Sequence, residues 1–166
     1  MSKYKKSLST VVAALLLVLL TLVLIGIVWT VVNNLVTEEL DEAGSCFDVF
    51  DKITFNGIYT CYNSSSNEMQ FSINVKDISI SKAVVSVVGE GRSKSIEIPG
   101  QYSSVKPFNG AYNSSISLPE KNAGLTYIYS MTADGFTQIP DTLKIIPVVR
   151  GNQCDVSDSI EEIDNC

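Results

Sequence analysis

The chain has 166 residues, enough for one modest domain and an appendage, and its 12 basic and 18 acidic residues give a net charge of −6. An acidic chain repels phosphate backbones, which argues against nucleic-acid binding. The chain has no histidine, the usual general base and commonest metal ligand, and no catalytic set can be assembled from it, so we expect no enzyme, metal site or cofactor.

The first predicted element is a long apolar helix. A group of lysines precedes 31 consecutive uncharged residues, from Ser7 to Thr37. The apolar residues form no stripe but cover the whole circumference, so every face must meet lipid or other apolar helices. We predict one helix from Leu8 to Ala43, with Gly44 as its C-terminal cap.

This segment has three interpretations. A cleaved secretory signal is disfavoured, because its apolar core has only about 7–15 residues and ends in small residues at the cut. An ordinary membrane anchor fits, since about 20 residues cross a bilayer and the leading lysines hold the N-terminus in the cytoplasm. The third is a helix retained for assembly, and it is favoured because "NNLVTEELDEAG" continues with helix formers beyond the membrane boundary.

The stretch "KKSLSTVVAALLLVLL" resembles the N-terminus of archaeal type IV pilins, which share their assembly logic with archaellum filament proteins. The resemblance covers about residues 3–35, and "TLKIIPVVRGNQCDV" is similar to the closing strand and loop of such pilins. It implies a precursor in the cytoplasmic membrane with its N-terminus inside, and then an extracellular filament on the cell surface. It also implies three partners: a prepilin peptidase, an assembly ATPase and a membrane platform protein.

The resemblance further implies a basic leader of residues 1–7, which the peptidase removes on the cytoplasmic side. Lys5 and Lys6 match the basic residues before the cut, Ser7 the residue just before it, and Leu8 the new N-terminus. Two positions depart from related patterns: Ser7 replaces the usual Gly or Ala, and Val12 stands where bacterial pilins carry a glutamate.

A helix that is apolar on all sides can pass from the bilayer into a bundle of identical helices, because lipid tails are about as apolar as leucine. Small residues allow helices to approach closely, which makes Ala13, Ala14 and Gly26 the candidate packing positions. Subunits repeated head to tail form an open polymer, so the expected principal partner is the chain itself.

Residues 44–166 are predicted to form an all-β domain of six to eight short strands, which makes the whole chain α+β. Alternating apolar residues run from Met69 to Ile80, a fuller apolar strand follows in "KAVVSVVGEG", and the last strand is predicted at Leu143–Val149. The pattern favours an immunoglobulin-like sandwich, although the Cys–Trp–Cys core of true immunoglobulin domains is missing.

Four cysteines, Cys46, Cys61, Cys154 and Cys166, are predicted to form two disulfides in an exported domain. Three pairings are possible. We favour Cys46–Cys61 with Cys154–Cys166, because each bond closes a short local loop. Four buried free thiols and a zinc site are the alternatives, the zinc site being the less favoured because the spacing is wide.

Two N-x-S tripeptides make Asn63 and Asn113 candidate glycosylation sites, although about two such tripeptides are expected by chance. Tyr127 and Tyr129 lie two residues apart on one predicted strand and so share a face. Two further tyrosines, Tyr102 and Tyr112, lie elsewhere in the domain. We interpret these tyrosines as packing residues with their hydroxyls at the rim, rather than as a carbohydrate-binding face.

The sequence therefore predicts a pilin, the structural subunit of an extracellular filament used for surface adhesion. Two alternatives stay open: an archaellum-type motility subunit with the same architecture, and a membrane-anchored binding ectodomain that never polymerises.

Overall fold

The structure is a computed structural model that describes the backbone from residue 4 to residue 166. Side chains are described for residues 11–36 and 46–166. The chain divides into two compact units between Ala43 and Gly44. An N-terminal apolar helix is followed by antiparallel β-sheets, which confirms the predicted α+β class.

Helix α1 runs from Tyr4 to Phe47, a length of 44 residues. It begins before the predicted start at Leu8, and it does not end at Gly44 as predicted. The end differs because Cys46, in the last turn, is bonded to Cys154, and its carbonyl accepts a hydrogen bond from the backbone N–H of Val49. These two bonds hold the backbone beyond Gly44 in a helical turn, so the glycine does not cap the helix.

Twelve strands follow within the described backbone, several of them only two or three residues long. They are β1 (Ile53–Phe55), β2 (Cys61–Asn63), β3 (Glu68–Val75), β4 (Lys82–Gly89), β5 (Arg92–Ile98), β6 (Gly100–Gln101), β7 (Val105–Pro107), β8 (Ser115–Ile116), β9 (Ala123–Ser130), β10 (Thr142–Val149), β11 (Asn152–Gln153) and β12 (Asp158–Ile160). The strand predicted from "KAVVSVVGEG" is confirmed as β4. The alternating run from Met69 is a strand only as far as Val75, because the chain then turns towards β4.

The strands form two five-stranded antiparallel sheets and a two-stranded one. Sheet 1 has the order β1-β3-β9-β7, with β2 also paired to β3. Sheet 2 has the order β11-β10-β4-β5, with β12 also paired to β10. Strands β6 and β8 form the small third sheet. This order does not by itself establish an immunoglobulin topology, which stays a prediction.

One hydrophobic core lies between the two large sheets. Each main strand places alternate residues inward; β4, for example, buries Ala83, Val85 and Val87. The largest fully buried side chains come from both large sheets, from β8 and from the short turn after β9. They are Tyr127, Tyr129, Phe71, Phe136, Ile53, Met69, Ile73, Ile96, Ile98, Ile116, Met131 and Leu143.

Residues 154–166, which we call the C-terminal strap, connect the two large sheets along one side. The strap first pairs with sheet 2, where Ile160 lies opposite Leu143. It then reaches sheet 1, where the backbone N–H of Tyr62 donates to the carbonyl of Asp164 at 2.8 Å. Between these points, the hydroxyl of Ser157 donates to the carbonyl of Ile53 at 2.8 Å. The strap therefore covers an edge of each sheet that would otherwise expose unpaired backbone groups.

Candidate functional site: an exposed apolar helix

The main candidate site is the surface of α1 from Val11 to Val36. These 26 residues contain no charged residue, their most apolar 18-residue window has a mean hydropathy of 3.3, and they are long and apolar enough to cross a membrane. None of their side chains is buried within the chain. The segment is about 39 Å long, whereas the hydrocarbon core of a bilayer is about 30 Å thick.

The two threonines of this segment bond within the helix. The hydroxyl of Thr21 donates to the carbonyl of Val18, and that of Thr30 to the carbonyl of Gly26, each at 2.8 Å. A hydroxyl without a partner in hydrocarbon carries a free-energy cost of several kcal/mol on transfer scales that lack hydrogen bonding, roughly 4–8. Because both hydroxyls are satisfied locally, they do not oppose transfer of the helix into lipid or into a bundle.

The predicted packing residues Ala13, Ala14 and Gly26 are exposed on α1, but they do not share a face. At about 100° per residue, Gly26 lies roughly 120° around the axis from Ala14 and roughly 140° from Ala13. They therefore cannot form one small-residue stripe along the helix. A Cβ added at Gly26 would meet no atom within 4 Å, so nothing in the chain itself requires glycine there.

Thr30 is a further candidate packing position that the sequence prediction does not include. Thr30 lies four residues after Gly26, so the two share one face in the small-xxx-small spacing that favours close helix approach. The sequence signal for Thr30 is this four-residue spacing from Gly26, whereas Ala13, Ala14 and Gly26 stand out by their small size alone.

The predicted processing residues Lys5, Lys6, Ser7 and Leu8 lie in the helical backbone of α1. Their side chains lie outside the described residues. Their roles in leader cleavage stay a prediction.

The predicted disulfide pairing is wrong. The bonds are Cys46–Cys154 and Cys61–Cys166, with Cα–Cα distances of 5.5 and 5.1 Å and sequence separations of 108 and 105 residues. The preference for short loops failed because the sheets bring distant segments together. The strap returns past β2 and places Cys166 beside Cys61, and both ends of the strap are consequently fixed covalently.

The strap also carries the whole net charge of the β-domain. It contains five acidic residues and no basic one, whereas residues 44–153 contain nine of each. The five are Asp155, Asp158, Glu161, Glu162 and Asp164. Asp158 has a structural role, because one of its carboxylate oxygens accepts the backbone N–H of Phe55 at 2.8 Å. The other four are exposed, so the strap is a hydrated acidic surface.

Both candidate glycosylation sites are exposed: Asn63 is the last residue of β2, just before a turn, and Asn113 lies in a turn. The side-chain oxygen of Asn63 accepts the backbone N–H of Ser65 at 3.0 Å, which closes the loop over its own N-x-S tripeptide. Asn113 has a positive φ of 63° and donates its backbone N–H to the carbonyl of Tyr102. Exposure permits modification at either residue, and whether it occurs stays a prediction.

The tyrosines of β9 are core residues, which confirms the packing interpretation for that pair. Tyr127 stacks on Phe71 with ring centroids 5.2 Å apart, and Tyr129 packs edge-on against Phe136. Burial raises the pKa of both phenols above the ordinary value.

A polar cluster surrounds Asp134 at the edge of the core. One carboxylate oxygen lies 2.6 Å from Nζ of Lys94, and the other accepts the hydroxyl of Tyr129 at 3.0 Å. Partial burial opposes ionisation of Asp134, but the hydrogen bonds from Lys94, Tyr129 and Ser104 outweigh it, so the pKa of the carboxyl lies below its usual value. The cluster places a charge on the inward face of edge strand β5, an arrangement that discourages edge-to-edge pairing.

Comparisons with known proteins add no assignment, because no family model, curated protein or solved structure matches this chain.

Proposed function

We propose that this chain is the structural subunit of an extracellular filament of the archaeal type IV pilus kind, which polymerises through helix α1 and serves surface adhesion. The observation that carries the proposal is the 26-residue segment from Val11 to Val36, which is apolar on every side and exposed along its whole length in the single chain. The proposal also follows the resemblance of residues 3–35 to archaeal pilins.

Water is not a possible environment for this segment. Each large apolar side chain left in water costs about 1.5–3 kcal/mol relative to burial, and the segment carries 19 exposed large apolar residues. The helix must therefore lie in a bilayer or among other apolar helices. Both environments suit the same surface, which allows one subunit to be inserted as a precursor and later assembled.

The length of α1 favours a filament over a simple anchor. The apolar segment is longer than the about 20 residues that an anchor needs, and α1 continues for eleven residues beyond it to Phe47. The domain that follows is held by two disulfides, which are compatible with an extracellular location for a filament subunit and for an anchored ectodomain alike. In a filament, the helices would pack at the centre and the β-domains would face the solvent.

N-terminal sequencing and intact mass of the protein from the cell surface test the proposal. A mature chain that begins near Leu8, recovered from fibres visible by electron microscopy, is the expected result. A chain that begins at Met1 or Ser2 and is recovered only from the membrane fraction would contradict the proposal and support an anchored ectodomain.

A further inference from the structure

The two disulfides cross each other along the sequence. One bond joins Cys46 to Cys154 and the other joins Cys61 to Cys166, so each bond encloses one cysteine of the other. The four cysteines divide the β-domain into segment 1 (residues 47–60), segment 2 (residues 62–153) and segment 3 (residues 155–165). Because Cys46 lies in the last turn of α1, the first bond joins the helix covalently to the far end of segment 2.

Each segment contains an exposed stretch at which a protease can cut. In segment 1, the turn after α1 has Phe47 87% exposed and Phe50 58% exposed, and Val49 is the one buried residue from 47 to 52. In segment 2, the tip of the β2–β3 hairpin is exposed at residues 64–66. In segment 3, residues 161 and 162 are exposed. Exposed turns and loop tips are preferred places for proteolytic nicking.

The crossed pairing keeps the pieces of a cut chain joined. After one cut in segment 1, α1 is still bonded through Cys46 to Cys154, and after one cut in segment 3, Cys166 is still bonded to Cys61. One cut in segment 2 leaves two pieces that share both disulfides. After one cut in each of any two segments, all three pieces are still joined. A piece that carries a cysteine separates only when all three segments have been cut.

The other two pairings that four cysteines allow lack this property. If neighbouring cysteines were paired, as Cys46–Cys61 and Cys154–Cys166, one cut in segment 2 would separate the end of the domain from α1. If the bonds were nested, as Cys46–Cys166 and Cys61–Cys154, one cut in segment 1 and one in segment 3 would release the middle of the domain. Resistance to any two such cuts therefore belongs to the crossed pairing alone.

The bond at Cys46 matters most when segment 1 is cut, because little else in the turn after α1 is held by the domain. A cut after Phe50 leaves Val49 on the helix side, where its side chain is buried and its carbonyl accepts the N–H of Lys52 at 3.1 Å. Stable association between separate pieces usually buries about 1,200–2,000 Å² of surface, far more than one valine side chain supplies. The disulfide is consequently the connection that survives such a cut.

We propose that the crossed disulfides retain the β-domain on α1 after its exposed loops have been cut outside the cell. The proposal rests on the extracellular location in the proposed function but not on polymerisation, so it applies equally to an anchored ectodomain. Cleavage adds one water across a peptide bond and leaves both disulfides unchanged. After a cut in segment 1, release of the β-domain requires a thiol reductant as well, which converts Cys46 and Cys154 to free thiols.

Cleavage of the full-length chain in membranes tests the proposal. The recognition site of a sequence-specific protease is inserted between Phe50 and Asp51, and the cut membranes are sedimented. With all four cysteines present, the β-domain is expected to stay in the pellet, although a reducing gel shows two fragments. In the matched control, Cys46→Ser with Cys154→Ser, the same cut is expected to release the β-domain into the supernatant. Release from the chain with both disulfides, or retention in the control, would overturn the proposal.

A denaturing gel gives a second result that does not depend on how the double-serine variant folds. Two further protease sites are inserted, one between Ser65 and Ser66 and one between Glu161 and Glu162. Without reductant, a chain cut at any two of the three sites is expected to run as one band, and a chain cut at all three as two bands. A fragment that separates after only two cuts would overturn the proposal. The proposed filament is decided separately, by N-terminal sequencing and electron microscopy of the uncut chain, so the two failures are distinguishable.

Discussion

Cys61 is covalently joined to Cys166, so the last residue of the chain is fixed beside strand β2, 105 residues away in sequence. The backbone strengthens this attachment on both sides. The N–H of Tyr62 donates to the carbonyl of Asp164, and the N–H of Cys166 donates to the carbonyl of Tyr62. The disulfide and the two hydrogen bonds hold the strap against sheet 1.

Removal of this disulfide by Cys61→Ser with Cys166→Ser is expected to lower the free energy of unfolding of the β-domain by about 2–5 kcal/mol. The loss has two causes: the unfolded chain gains freedom, and the end of the strap detaches from β2. The measurement is urea unfolding of the detergent-solubilised full chain, followed by the near-UV circular dichroism of its tyrosines. The exposed-site variant Ser66→Ala is the control, and an unchanged midpoint for the double variant would contradict the prediction.

The fold class could be predicted because its signals are local. The uncharged run from Ser7 to Thr37 permits no other element than an apolar helix, and apolar alternation within β4 gives a strand with one buried face. The strap could not be predicted in this way. Strand β12 of the strap and the preceding strand β11 contain almost no apolar alternation, and their position is set instead by hydrogen bonds to β10 and by the two disulfides.

The cysteine pairing failed for the same reason. Loop length is a property of the sequence, whereas the position of Cys166 beside Cys61 follows from strand order in space. The prediction of Gly44 as the helix end failed for a similar reason. A glycine is a local signal for a helix end, whereas the disulfide at Cys46, which holds the next turn of the helix, is made with the distant Cys154. Within the candidate site, the small residues Ala13, Ala14 and Gly26 could be identified from the sequence. Their placement on different faces of α1 could also be predicted, because it follows from helix geometry alone.

Substitution of Gly26 by leucine is expected to reduce fibre yield while membrane insertion is retained. A Cβ at this position meets nothing within 4 Å in the chain, and leucine ranks close to alanine as a helix former whereas glycine is about 0.8–1 kcal/mol worse than alanine. The helix itself should therefore be stabilised, and any defect must arise between subunits. Electron microscopy measures the fibre yield, and membrane fractionation measures whether the variant is still inserted.

The control for Gly26→Leu is Val28→Leu, which enlarges an already apolar position on another face of the same segment. Gly26→Ala should give an intermediate yield. Normal fibres from Gly26→Leu would remove this residue from the packing surface.

Asp134→Asn is expected to destabilise the β-domain by about 1–3 kcal/mol at neutral pH, because hydrogen bonds from Lys94 and Tyr129 to a charged acceptor are weakened. The pKa of Asp134 is lowered in the folded state, so its contribution is complete above the unfolded pKa of about 3.9 and is lost as the pH falls through the folded value. The difference in unfolding free energy between the unaltered chain and Asp134→Asn should consequently shrink below about pH 4.

Unfolding free energies measured from pH 7 to pH 3 test this dependence. Asp77→Asn is the matched control, since Asp77 forms its ion pair with Lys121 in an exposed position and should contribute little. A difference for Asp134→Asn that stays constant down to pH 3 would show that the lost interaction does not depend on ionisation.

Trp29 offers a direct test of where α1 lies, because it is the single tryptophan of the chain and its side chain is 68% exposed in the single subunit. In a bilayer, the indole meets lipid and its fluorescence should be quenched by brominated acyl chains. In a fibre, it should be enclosed by neighbouring apolar helices, so that brominated vesicles added outside do not quench it and aqueous acrylamide does so weakly. Tyrosine emission from the β-domain serves as the internal reference. Strong acrylamide quenching of Trp29 in purified fibres would mean that the apolar helices do not pack at the fibre centre, because that packing excludes water from the indole.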